Sequence, residues 1–338
     1  MIPVRTRVRT AICLGFLVAA AWTASAARSQ TGSSQTGSSQ SPAATDTVVA
    51  PPVSEFARLA PSSLLCAVDR RGDLVIAVGE RGHILRSTDA SATWTQVLTP
   101  TRSFLTSVWI TESGTIWAAG HDAVLLASTD GGLTWEIRYY APEEEAPFLA
   151  IHFHGDRGFV VGAYGLYLET RDGGVTWERR DIHEEGPHWY GMARDTQGRL
   201  YLAGEFGIFL RSEDDGLTWV EAPSPYSGTF FGVLTAGDAV LVHGLRGKVF
   251  RSEDGGLSWN AVATGTEAGL LGGLGFPDGS AMLVGLSGAI IYGRGETMRP
   301  MGLEDRRGLA SAVPLADGRI LLVGEHGLYW LDSPEPAP

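Results

Sequence analysis

Five aspartates in this chain share one setting, Ser/Thr-x-Asp-x-Gly-x-Thr/Ser-Trp. They are Asp89, Asp130, Asp172, Asp214 and Asp254, with Trp94, Trp135, Trp177, Trp219 and Trp259 closing the five motifs (Ser91 replaces the glycine of the first). A carboxylate flanked by hydroxyls can accept backbone N–H bonds across a tight turn, ligate calcium or do acid–base chemistry. A calcium loop needs oxygen ligands at alternate positions over about 12 residues. Leu133 and Trp135 fall where such ligands should be, so no metal is expected. The turn reading fits every residue. The glycine adopts a positive φ that other residues resist, the hydroxyl adds a bond, and the tryptophan buries its ring against the next repeat with its N–H near the wet edge. Other chemistry finds no footing. His152 and His154 can share one strand face, but no further ligand stands at metal spacing. There is no G-x-S-x-G elbow, and Lys248, the one lysine, follows no phosphate loop. No catalytic residue and no cofactor is expected.

The elements that carry these motifs are read from their period. The aspartates are 41, 42, 42 and 40 residues apart. A second mark, a glycine followed by two variable residues and usually another glycine, has seven copies: Gly79, Gly120, Gly162, Gly204, Gly244, Gly285 and Gly324. The last two repeats lack the tryptophan motif. In the second repeat, Leu105 to Ile110, Thr115 to Ala119, Val124 to Ser128 and Trp135 to Tyr139 read as four short strands separated by turn residues. Four strands in about 41 residues is one propeller blade. The expected fold is all-β, a seven-bladed β-propeller of four-stranded blades over residues 53–333. The seventh repeat supplies three strands, so Val53 to Leu59 is expected to complete the last blade and close the ring. A small residue recurs in each first strand (Ala67, Ser107, Ala150, Gly191, Gly232, Gly273 and Ala312), implying close approach around the axis or between blades.

The ends and the composition bound the setting. Arg5, Arg7 and Arg9, an apolar run from Ala11 to Ala21 and Ala24-Ser25-Ala26 form a signal peptide over residues 1–26. An uncleaved membrane tether is the alternative, and the absence of a cysteine after the cleavage site argues against lipid modification there. Residues 27–52 form a low-complexity polar linker, and residues 334–338 a short tail. The net charge is -12, and removing the three leading arginines makes it -15. Nucleic acid is excluded as a partner, because it requires a basic face. Cys66, the one cysteine left in the mature chain, lies in an apolar strand and should be buried and inert. The protein is expected to be monomeric on its own.

In a propeller the turns between second and third strands open on one face, together with the connections between blades. Glu80, Arg81, His121, Tyr164, Glu205, Phe206, Arg246, Glu325 and His326 occupy those turns and are the candidate partner-binding residues. The connections around Tyr139 to Pro147, Asp181 to Trp189 and Thr297 to Arg307 join them. Aromatic side chains beside charges suit a protein-binding surface.

The aspartate turn resembles the Asp-box of sialidases and sortilin-type receptors. The longer pattern, G-x-x-G-x-I/L/V-x-x-S/T-x-D-G-G-x-T/S-W, resembles that of the photosystem II stability/assembly factor family over residues 53 to 332. That resemblance implies an exported, non-catalytic propeller that docks on exported loops of a membrane-protein complex. It transfers no functional residue. The alternative is a glycan-directed protein, either a sialidase-like glycoside hydrolase or a lectin. A sialidase needs converging arginines and a Phe/Tyr-Arg-Ile-Pro segment near its start, which Met298-Arg299-Pro300 does not match, and it has six blades.

Overall fold

The computed structural model describes residues 51–334. The expected signal peptide, nearly all of the linker and the last four residues of the tail lie outside them. The described chain forms seven antiparallel sheets. Blade one is β1 Leu65–Arg71, β2 Leu74–Gly79, β3 Ile84–Ser87 and β4 Thr95–Val97. Blade two is β5 Leu105–Ile110, β6 Ile116–Gly120, β7 Leu125–Ser128 and β8 Glu136–Tyr139. Blade three is β9 Phe148–His154, β10 Arg157–Gly162, β11 Tyr167–Thr170 and β12 Glu178–Arg179. Blade four is β13 Trp189–Arg194, β14 Leu200–Gly204, β15 Phe209–Ser212 and β16 Val220–Glu221. Blade five is β17 Phe230–Ala236, β18 Ala239–Gly244, β19 Val249–Ser252 and β20 Asn260–Ala261. Blade six is β21 Leu270–Gly275, β22 Ser280–Gly285, β23 Ile290–Arg294 and β24 Thr297–Pro300. Blade seven has three strands, β25 Leu309–Pro314, β26 Ile320–Gly324 and β27 Gly327–Leu331. The seven-bladed propeller expected from the repeat is the fold; in blade two the first strand starts where the pattern suggested and the other three start one residue later. Among the described residues, no helix is long and apolar enough to cross a membrane.

Apolar burial is organised between blades. Seven hydrophobic clusters each join two neighbouring blades, and one of them unites Leu65, Val68 and Val75 of blade one with Val313, Leu321 and Val323 of blade seven. Second strands such as β6, β14 and β26 are buried throughout, because a blade is covered on both faces. That explains their continuous apolar runs. First strands pack against one another around the axis. Their small residues serve blade-to-blade approach: a Cβ on Gly191 would lie 2.8 Å from Gly232 Cα. Register moves two of the expected positions by one residue. Gly272 and Ser311, rather than Gly273 and Ala312, pair as Ala67 does in blade one.

The aspartate turns are capped as their chemistry requires. In blade two, Asp130 accepts from the Ser128 and Thr134 hydroxyls at 2.8 and 2.6 Å and from the Leu133 and Thr134 N–H groups. Ser128 Oγ in turn accepts from Gly132 N at 2.9 Å. These bonds hold the carboxyl well below its usual range, and Asp89, Asp172 and Asp214 are lowered to about 2 by the same causes, the threonine hydroxyl and N–H foremost.

Two expectations about the tryptophans are corrected. They pack on the preceding blade, not the next. Trp177 meets Trp117, Trp219 meets Tyr167 and Trp259 meets Phe209, all edge-on with ring centres 5.1–6.2 Å apart. Sheet twist carries each outer hairpin back over the blade before it. Of the five motif indoles, two find an acceptor. Trp219 donates to the Tyr167 hydroxyl and Trp259 to Pro223 O, whereas the N–H groups of Trp94, Trp135 and Trp177 are buried without a protein acceptor. Arginines tie the same seam. Arg86 Nε donates to Gly131 O, and Arg180 to Gly216 O and Leu217 O.

The closing strand expected from residues 53–59 is also corrected. That segment forms no strand on β27. It lies along the outer edge of blade one, where Ser54 N donates to Thr99 O, and Gln96 accepts from Ala57 N and donates to Glu55 O. Side-chain amide bonds from Gln96 thus stand in for a backbone ladder. Closure is achieved otherwise. A Cβ on Gly327 would sit 1.9 Å from Pro61 O, so the turn Ala60–Ser62 packs on blade seven as an inter-blade connection does. Arg70 Nη1 donates to Pro314 O at 2.8 Å, and Trp330 Nε1 to Ser91 Oγ at 2.9 Å.

Candidate partner-binding face

One hydrogen bond recurs in all seven blades. The residue after each marker glycine donates its N–H to the residue preceding a first strand: Glu80 to Leu64, His121 to Phe104, Ala163 to Pro147, Glu205 to His188, Leu245 to Thr229, Leu286 to Gly269 and Glu325 to Gly308. The marker glycines are dictated by this approach, since a Cβ on Gly120 would lie 2.0 Å from Phe104 O. Turns and inter-blade connections are thereby locked together at one end of the propeller. The aspartate turns lie at the other end with the first hairpins, as Gly173 N donating to Asp156 O illustrates.

Within this lock the middle turn residue is forced to a positive φ. Arg81, Asp122, Tyr164, Phe206, Arg246 and Ser287 have φ between 54° and 59°. All six side chains are exposed, Tyr164 at 56% and Phe206 at 59%. Four expected site residues therefore occupy one structural position, repeated around the rim. His121 and His326 are exposed beside it; Glu80 and Glu325 are half-buried. Glu325 accepts from Gly308 N at 2.9 Å, and Glu205, buried, accepts from His188 N at 3.0 Å. Both carboxylates brace the turn.

Each first strand carries a β-bulge just inside this face. Pairing skips Cys66, Thr106, Leu149, Tyr190, Phe231, Leu271 and Ala310. A bulge re-aims its extra residue. In blades four and five this brings Tyr190 and Phe231 edge to face with ring centres 5.5 Å apart. His188 stacks on Tyr190 at 6.3 Å and lies 4.6 Å from the Tyr164 ring. The result is one cluster of Tyr164, His188, Tyr190, Glu205 and Phe231. Two of these, Tyr164 and Glu205, were expected from sequence. His188 lay within the Asp181 to Trp189 connection expected to join this face, without being singled out, and Tyr190 and Phe231 were missed; their signal was their place immediately before the small residue of a first strand.

Burial sets the cluster's electrostatics. It pushes His188 down to about 4 and raises the Tyr190 hydroxyl. Burial also raises Glu205, opposed by the His188 N–H. His188 is therefore neutral at pH 7, and its 3.8 Å approach to Glu205 is not an ion pair. Tyr164 is exposed and Tyr190 half-buried, so these two present ring surface and phenol hydroxyls, while His188, Glu205 and Phe231 are buried with them. The cluster can hold an apolar side chain and bond a peptide backbone.

The arginines that draw together on one carboxylate belong to a seam between blades. Arg171 and Arg180 converge on Glu169 at 2.9 and 2.7 Å, with Arg157 at 3.9 Å, but Glu169 is a buried protein carboxylate and Arg180 also binds backbone carbonyls of blade four. They are a seam between blades, not a substrate clamp. Among the described residues, no group of three or more His, Cys, Asp or Glu could hold a metal ion. Cys66 is buried in β1.

The sequence profile of the family described as photosynthesis system II assembly factor YCF48 matches residues 86–188 and 149–291. The photosystem II assembly lipoprotein Ycf48 of Parasynechococcus marenigrum (strain WH8102) is 33% identical over 95 residues, covering 26% of this chain. The match spans 28% of that relative's length. The solved structure of YCF48 bound to D1 peptide has a TM-score of 0.66 and 17% identity, covering 85% of this chain and 100% of the other. A streptogramin B lyase also reaches 0.66, with 15% identity, over 83% and 97% of the two chains. At such identities the structural likeness concerns the fold.

Proposed function

Since this chain belongs to the photosynthesis system II assembly factor YCF48 family, we propose that it is an exported, non-catalytic, monomeric assembly or stability factor for a photosystem II-like membrane-protein complex. It binds an exposed client segment at the turn-lined end, over Tyr164, His188, Tyr190, Glu205 and Phe231, with the Arg81 and Arg246 turns on the same rim. The observation that carries this reading is the aromatic cluster built by adjacent bulges on the face where the family's fold exposes its turns. Support for the class of client comes from the similar structure of YCF48, which was solved with a D1 peptide. Support for export comes from the arginine-led apolar segment at residues 5–21 and from a relative described as a lipoprotein. The engagement of Arg157, Arg171 and Arg180 on the buried Glu169, within a seam between blades, disfavours a glycan-cleaving role.

The test is co-purification of the tagged chain from detergent-solubilised membranes. Recovery of one membrane complex at fixed stoichiometry is expected, with loss on Tyr164→Ala or Tyr190→Ala and retention with Leu133→Ala at the opposite end. If no membrane protein is recovered with the folded chain, the reading fails.

A further inference from the structure

The opposite end of the axis holds a separate site. A cavity of ≈ 450 Å³ is lined by the ends of four first strands: Val68, Asp69 and Arg70 of β1, Val108 and Trp109 of β5, Gly273 and Leu274 of β21, and Ser311 to Pro314 of β25. These are the strand ends that lead into the first hairpins, so the cavity lies away from the turn-lined face. Besides backbone, the Trp109 indole, the Ser311 hydroxyl, the Asp69 carboxylate and Arg70, the lining side chains are aliphatic.

Asp69 is the unusual member. Its two oxygens accept from Arg70 N at 2.7 Å and Ile110 N at 2.6 Å. Among the described residues, no cationic side chain forms an ion pair with it. Burial pushes its pKa up to about 6 against those two N–H bonds, the mark of a carboxylate whose charge lacks compensation. Arg70 does not supply that compensation, because its Nε and Nη1 are turned to Gly72 O and Pro314 O at 2.6 and 2.8 Å. The cavity therefore presents one anionic wall and one cationic wall without an ion pair between them.

We propose that this cavity is a binding site for a small zwitterion bearing a quaternary ammonium and a carboxylate, a betaine-type solute. The ammonium rests against Asp69 and the Trp109 indole, and the carboxylate faces the Arg70 edge. A bare metal ion is a poorer fit, since it needs several oxygen ligands and the wall offers one carboxylate. A primary ammonium is also poorer, since it carries three donors and the side-chain acceptors here are Asp69 and Ser311. A quaternary ammonium has no donors to satisfy, and its methyl groups match the valine, leucine and indole surfaces.

Calorimetric titration of the full chain with three solutes separates the two charges. Glycine betaine carries both, choline only the cation, and 3,3-dimethylbutanoate is betaine with carbon in place of nitrogen. Betaine should bind at least about tenfold more tightly than 3,3-dimethylbutanoate, a factor of ten being about 1.4 kcal/mol. Asp69→Asn should erase that advantage, and Arg70→Gln should make betaine and choline equivalent. Trp109→Leu, which removes no hydrogen bond to a carboxylate, should weaken betaine with the fold intact by thermal unfolding. It keeps the test open should the Asp69 variant not fold. Equal binding of betaine and its carbon isostere, or no betaine binding by the folded wild-type chain, would overturn the proposal. Because this site lies at the other end from the client face, its failure leaves the client reading standing.

Discussion

At the scale of single residues, two kinds of titrating group set the acid limit of this protein. His152, His188 and His243 are held neutral by burial, with pKa values lowered to about 3, 4 and 4. The unfolded chain binds protons at these groups near 6.5, so stability falls as pH drops from about 6.5 toward 4. The aspartate turns act lower. Their folded carboxyls titrate at or below about 2, against about 3.9 unfolded, so the stability they contribute is present above pH 4 and disappears as pH falls toward 2. A plot of thermal midpoint against pH should therefore decline in two stages. His243→Phe should flatten the upper stage, and Asp172→Asn the lower one. A single decline beginning below pH 4 would contradict the first assignment. Marker glycines belong to this scale too. Gly120→Ala should cost about 3 kcal/mol, because its Cβ meets the fixed Phe104 carbonyl. Gly155→Ala, at φ 53° with open space around it, should cost about 1 kcal/mol. Denaturant titration of the pair separates crowding from backbone strain.

At the scale of elements, the blade is stabilised less by its own sheet than by the seam it shares with its neighbour. Trp135 is buried against Ile76, Val78 and Ile84 of the preceding blade. Trp135→Ala should cost about 3–5 kcal/mol. Trp330, half-exposed and tied to Ser91 by one hydrogen bond, should cost far less. Equal losses by chemical unfolding would mean that the tryptophans act within their own blades. The bulges shape the candidate face rather than the seams. They take one residue per first strand out of the ladder, and only in blades four and five are those residues the aromatic pair Tyr190 and Phe231.

At the scale of the whole molecule, the ring is closed by packing and three point contacts rather than by a shared strand. A chain beginning at residue 60 should keep a single cooperative unfolding transition with a modest fall in midpoint. A chain beginning at residue 64 should fall much further, because it loses Ala60 from the closing core and Pro61 from above Gly327. Equal effects of the two truncations would place closure in residues 53–59 instead.

Blade number, turn chemistry and the turn-lined face were determined by sequence, because each depends on residues within one repeat. Asp130 finds its partners between Ser128 and Thr134, and a pattern of glycines spaced by 39 to 42 residues fixes how many blades there are. The direction of tryptophan packing, the mode of closure and the membership of the aromatic cluster were decided by tertiary structure. Trp177 and Trp117 are 60 residues apart and meet because the blade twists. Residues 53–59 had two edges to choose from, and Gln96 side-chain bonds decided for blade one. Tyr164, Tyr190 and Phe231 come from three blades, and what joins them is a register shift in β13 and β17. Such a shift leaves the apolar pattern of a strand almost unchanged while turning one side chain toward a different neighbour.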